Sequence, residues 1–215
     1  MSVRVKICGI TNRGDACAAR ERGADYIGII VDIQGSRRSV NLQQAAEIAD
    51  GIPEIVLLMD CGIKEIITAQ QLIQPHAVQL VGATSLSDIR LLKGKTGVNI
   101  WKTVPLPCRK HENPLELMQH IAELQKNNID AIVLDTLVPG LKGGTGKTCD
   151  WETAAKIIHT VNCPVFLAGG LKPENIAQAI AEVQPFGVDV SSGVEAEPGI
   201  KDLEKISRFI HTAAA

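Results

Sequence analysis

Short runs of Val, Ile and Leu alternate along this chain with longer segments in which apolar residues return every third or fourth position. The first pattern is that of strands buried on both faces, and the second that of helices with one apolar stripe. Strands are predicted over 3–8, 26–31, 55–59, 77–80, 99–104, 131–135, 165–168 and 187–190. Helices fall between them over 12–22, 42–50, 64–74, 85–93, 114–127, 151–160, 173–182 and 203–212. Local signals agree: Pro114 and Pro173 suit first-turn positions, Asp150 an N-cap, and Gly23 and Gly51 the points where helices stop. Eight strand–helix units in 215 residues fit a single (β/α)8 barrel, an α/β fold, spanning 1–215 better than an open doubly wound sheet. A barrel of this kind keeps its functional residues at the C-terminal ends of the strands.

Composition narrows the classes. A formal charge of −2 and the lack of any Lys/Arg run offer no track for nucleic acid, and aromatics at 3% offer no stacking platform. No stretch approaches a membrane span, and the alternating start is not a signal peptide, so a cytoplasmic protein is expected. Six scattered cysteines, without paired spacing, are expected to be reduced and mostly buried, with no metal site.

The strand ends carry the candidate chemistry. Strand seven runs into Gly169 and Gly170, and strand eight into Asp189, Ser191, Ser192 and Gly193. Either cluster alone is a tight turn. At adjacent strand ends they predict the site where barrels bind a phosphate, so a small phosphorylated substrate is expected. Gly143-Gly144-Thr145-Gly146-Lys147-Thr148 lacks the spacing of a nucleotide loop, since Leu141 stands where the first glycine should be; a lid or third wall is expected there, or a plain loop. Cys8 ends strand one and Asp135 strand six. A thiol and a carboxyl facing one pocket suit a base and an acid, although core filling and loop capping remain open for them. Arg37 and Arg38 follow strand two, where one can grip a carboxylate or phosphate. No histidine stands at a strand end.

Four motifs bring a resemblance. Lys6-Ile7-Cys8-Gly9-Ile10-Thr11, Gly143-Gly144-Thr145-Gly146-Lys147-Thr148-Cys149-Asp150-Trp151, Gly169-Gly170-Leu171-Lys172-Pro173-Glu174-Asn175 and Asp189-Val190-Ser191-Ser192-Gly193-Val194-Glu195 occur in order over nearly the whole chain. Together they resemble the phosphoribosylanthranilate isomerase family. The resemblance implies an Amadori rearrangement of N-(5′-phosphoribosyl)anthranilate in tryptophan biosynthesis, without cofactor or metal. It implies Cys8 as general base at C2′, Asp135 as general acid at the furanose oxygen, and Arg38 on the anthranilate carboxylate. Gly144, Gly169, Gly170, Ser191, Ser192 and Gly193 would take the phosphate, with Asp189 as a further substrate contact.

The departures gather on the side that should hold the anthranilate ring. Val81 stands in place of the family's histidine, the strand-two end is apparently one residue longer, and strand three ends Leu57-Leu58-Met59-Asp60. Asp32 and Asp60 are read as surface loop residues. These changes keep an isomerase of another phosphorylated aminosugar or aldose in view, and beyond it a non-catalytic sugar-phosphate binder. Monomer and homodimer are both compatible with the sequence.

Overall fold

The computed structural model describes residues 2–108, 114–137 and 148–214. Its main sheet contains the strands β1 (Arg4–Ile7), β2 (Tyr26–Val31), β3 (Ile55–Met59), β4 (Ala77–Leu80), β5 (Asn99–Pro107), β6 (Ala131–Leu137), β7 (Val165–Leu167) and β8 (Gly187–Val190). Each is parallel to the next, and β8 returns to β1 with Asp189 opposite Lys6, which closes the sheet. The connecting helices are α1 (Arg13–Glu21), α2 (Leu42–Ala49), α3 (Ile63–Ile73), α4 (Leu86–Thr96), α5 (Pro114–Lys126), α6 (Trp151–Thr160), α7 (Ile176–Val183) and α8 (Leu203–Ala214). The chain is therefore a (β/α)8 barrel, as the eight repeats predict.

Local chemistry starts the helices where the strands need to turn back. Asn41 and Gln44 exchange bonds in a capping box at α2, and Asp150 accepts from the Thr153 N–H at α6. Gly23 and Gly51 take φ of 100° and 68° just past α1 and α2. Outward strand residues such as Ile7, Ile29 and Leu57 join the helices in one large core. Inward residues, among them Val56, Leu58, Trp101, Val133 and Phe166, form a second core inside the barrel.

The structure departs from the sequence reading in several places. β5 and β6 run on beyond the expected ends, pairing Pro105 with Asp135 and Pro107 with Leu137. Prolines two residues apart lose their N–H groups on one edge only, and β4 has already ended at Leu80 on that side. The seventh helix begins at Ile176 rather than Pro173, because Asn175 folds back to accept from Lys172 N and donate to Gly170 O, which makes a separate turn. After β8 comes a short antiparallel hairpin, Glu195–Glu197 with Ile200–Lys201, that periodicity did not reveal. The expectation of mostly buried cysteines is too broad: Cys8 and Cys149 are buried, Cys17, Cys108 and Cys163 are partly covered, and Cys61 is exposed.

Candidate active site

At the C-terminal mouth of the barrel a cleft encloses about 660 Å³, part of it open to solvent. Its lining includes Cys8, Arg38, Asp135, Gly169, Gly170, Asp189, Ser191 and Ser192, so the strand-end rule brings most of the predicted residues to one place. Gly193 stands back from the cleft. A Cβ there would lie 1.9 Å from the Leu171 carbonyl oxygen, so its small size lets the loop after β8 close against the loop after β7. Gly144 lies outside the described residues. Arg38 lines the cleft while Arg37 is exposed on the rim, as are Asp32 and Asp60.

Beneath the mouth runs a chain of buried polar groups. The Lys6 ammonium, with no solvent exposure, donates to Asp189 at 2.8 Å and to Gln79 at 2.9 Å, and Gln79 donates to Thr103 at 2.9 Å. Such a network is tolerated in a barrel interior only because its members satisfy one another. The exception is informative: Asp189 Oδ1 and Ser191 Oγ are buried without a partner among the described residues. Unused acceptors and hydroxyls at a cleft wall are what an incoming polar ligand satisfies.

Burial is the main influence on both candidate reacting groups. It pushes the Cys8 thiol up to about 11, against the pull of the Lys6 ammonium and with the push of Asp189. It also pushes the Asp135 carboxyl up to about 6, with Asp189 adding to the rise and the Thr136 N–H opposing it. Asp135 is thus a carboxyl that still carries its proton near pH 6, and Cys8 a thiol that becomes a strong base once ionised.

Arg38 does not enter the cleft as a free cation. Its Nε and Nη2 each donate to Glu195 at 2.7 Å, and Glu195 also accepts from Lys201 at 2.9 Å. This fork holds the guanidinium plane still and leaves its remaining N–H groups to a ligand. Gly9, with φ of 70°, makes the arrangement possible, since a Cβ there would meet Arg38 Cδ at 2.6 Å and Ser191 Oγ at 2.7 Å. Sequence reasoning missed Lys6, Gln79, Glu195 and Lys201 as parts of the site. The inward alternation of β1 and β4 was available as a signal for the first two, whereas no period marked the hairpin.

The opposite wall is aliphatic. Ile30 and Leu58 line it, and Ile33 and Val81 pack behind them against the inner core. Among the described residues no three His, Cys, Asp or Glu side chains converge as a cation site, and no helix is long and apolar enough to cross a membrane.

The family model of N-(5′-phosphoribosyl)anthranilate (PRA) isomerase matches residues 5–212. The chain belongs to this family. A PRA isomerase from Methanocella arvoryzae is 38% identical over 212 residues, covering 96% of each chain. A solved structure of monomers of the dimeric phosphoribosylanthranilate isomerase from Thermotoga maritima superposes with a TM-score of 0.83 at 36% identity, covering 98% of both chains. A further PRA isomerase structure, in complex with reduced 1-(o-carboxyphenylamino)-1-deoxyribulose 5-phosphate, is similar with a TM-score of 0.80 at 32% identity over 98% of both chains. PRA isomerases thus share this barrel from end to end, including the half where this chain carries Ile30, Leu58 and Val81.

Proposed function

We propose that this protein converts N-(5′-phosphoribosyl)anthranilate into 1-(2-carboxyphenylamino)-1-deoxyribulose 5-phosphate, a step of tryptophan biosynthesis, in the cytoplasm and as a monomer or homodimer. The observation that carries the reading is the meeting of Cys8 and Asp135 in one cleft of a family member. Asp135 gives its proton to the furanose ring oxygen as the C1′–O bond breaks, and the anthranilate nitrogen lone pair forms the C1′=N iminium. Cys8, as thiolate, takes the C2′ proton, and those electrons make the C1′=C2′ enolamine. The enolamine moves its hydroxyl proton to C1′ and becomes the ketone. Transfer of one proton from Cys8 to Asp135 through solvent restores the starting enzyme, so the reaction needs neither cofactor nor metal.

Substrate binding divides along the walls of the cleft. Gly169, Gly170, Ser191 and Ser192 offer small residues, hydroxyls and backbone N–H groups to the phosphate, with Gly144 assigned to the same group. Arg38, fixed by Glu195, faces the anthranilate carboxylate, and Ile30 and Leu58, backed by Val81, offer an apolar surface to its ring. Asp189 Oδ1 is left to accept from a sugar hydroxyl.

The required state pairs a thiolate with a carboxylic acid. The rate as kcat/KM is expected to rise as pH climbs through about 6, where Asp135 titrates, and to hold level until Cys8 titrates near 11. The test is turnover of freshly generated phosphoribosylanthranilate, followed by the loss of its fluorescence. Rapid turnover that disappears in Cys8→Ala supports both substrate and base. A folded protein that binds the reduced product analogue without turnover overturns the reading.

A further inference from the structure

Cys8 and Asp135 share a neighbour that the proposed chemistry does not use. Lys6 stands two residues before Cys8 on the inward face of β1, and Asp189 stands directly across from it on β8. Gly28 of β2 leaves the space in which they meet: a Cβ there would be 2.9 Å from Cys8 Sγ and 3.1 Å from Lys6 Cε. Gln79 holds the ammonium from a second side at 2.9 Å and is itself held by Thr103, so Lys6 has no freedom to turn away. A buried ion pair of this kind is seldom a net gain in stability over an apolar pair of similar volume, so its presence beneath a reactive cleft calls for a reason in function.

We infer that the Lys6–Asp189 ion pair is an oriented positioning device for both reacting groups, its ammonium end serving Cys8 and its carboxylate end serving Asp135. The inference rests on the reading of Cys8 as base and Asp135 as acid. The thiol responds more strongly to Lys6 than to Asp189, so the pair as a whole draws it down. Asp189 lines the cleft together with Asp135 whereas Lys6 lies beneath it, and Asp135 responds more strongly to Asp189 than to Lys6, so the pair as a whole draws it up. Lys6 itself, which burial alone would discharge, is kept charged by Asp189 and Cys8. Other groups reach the two sites from outside the pair. Lys201 on the hairpin and Arg38 after β2 also act on Cys8, and the Cys149 thiol faces Asp135.

The orientation has a direct catalytic consequence. With the thiol near 11 and the carboxyl near 6, the form with thiolate and carboxylic acid together is on the order of 10⁻⁵ of the free protein between those values. Every unit by which the pair brings the two values closer multiplies that fraction about tenfold. A pair reversed end for end would reduce it by the same factor.

The experiment removes the pair with near-isosteres, as Lys6→Met/Asp189→Asn, which leaves no unpaired buried charge. The pH profile of kcat/KM is measured, together with site-resolved alkylation of Cys8 by iodoacetamide in the ligand-free protein. The lower limb is expected to move down, Cys8 alkylation at pH 9 to slow, and the level rate to fall at least about tenfold, one pKa unit being a factor of ten. A lower rate with the limb and the alkylation unmoved would mean a structural or substrate-contact role and would overturn the inference. Asp189→Asn alone serves if the double variant does not fold: without its carboxylate partner the buried Lys6 discharges, so the pair is lost to both groups and the limb again moves down while alkylation slows. An unshifted limb and unchanged alkylation there would equally sink the idea. If the unmodified protein fails to turn over phosphoribosylanthranilate, the functional reading falls, and alkylation still tests whether the pair acts on Cys8.

Discussion

At the N-terminal end of the barrel interior, Trp101 stacks on Phe166 with centroids 4.6 Å apart, and Tyr26 meets both edge-on at 5.1 and 5.6 Å. Gly187 makes room, since a Cβ there would lie 2.4 Å from the Phe166 ring. One layer further along the same strands the inward positions are Lys6, Gly28, Gln79, Thr103 and Asp189, and beyond them Cys8, Asp135 and Ser191 line the open cleft. The same inward alternation fills one end with rings that exclude water and the other with charges that must be satisfied by one another or by ligand. The aromatic end closes the barrel and gives the polar network a floor, so that burial can raise Cys8 and Asp135 as it does.

The largest effect is expected at the floor. Trp101→Ala removes the largest ring of the plug and should cost about 3–5 kcal/mol in urea unfolding. In the protein that remains folded, water admitted beneath the polar network should move the limb of the pH profile near 6 down; an unmoved limb would show that the aromatic floor does not set the burial of Asp135. The mouth should respond in the opposite manner. Cys8→Ala should leave the unfolding midpoint nearly unchanged and lower turnover at least about 100-fold, the usual cost of a lost general base.

Asp135 also ties the mouth to the stability of the fold. Its carboxyl lies at about 6 in the folded protein against an ordinary 3.8, so the folded state holds the proton more tightly than the unfolded chain. Stability is then fullest below about pH 4 and declines as pH rises through about 6, by about 3 kcal/mol for a shift of this size. Asp135→Asn does not titrate, so it should be the more stable protein at pH 8 by that amount and lose the advantage at pH 3.5. Denaturation at the two pH values decides it, and a gap independent of pH would contradict the burial argument. The smallest effect is expected at Gly9→Ala, about 1–2 kcal/mol of backbone strain at a left-handed position. Because the new Cβ would press on Arg38, KM should rise more than kcat falls, as steady-state kinetics would show.

The two ends of the barrel also differ in how readable they were. Cys8, Asp135, Gly169, Gly170 and Ser191 sit where strand periodicity stops, and the barrel rule converts a strand end into a position at the mouth. Lys6 and Gln79 carried the same inward parity but looked like breaks in apolar strands, because a buried charge is legible only once its partner is known. Asp189 is that partner for Lys6, separated from it by 183 residues. Glu195 and Lys201 lie on a hairpin with strands of three and two residues, too short to show a period.

The repeat is written along the chain, and with it the barrel, since eight apolar strands each followed by an amphipathic helix bury their faces well only when the sheet closes. The residue types that reach the strand ends are written there too. Contacts between distant strands set the rest: Arg38 is clamped by Glu195, Lys6 points its charge between Cys8 and Asp189, and four aromatics gather at the far end. The reason is physical: backbone alternation is a local property that each strand carries alone. The worth of a buried charge or ring, by contrast, depends on what the other strands bring within a few ångströms of it.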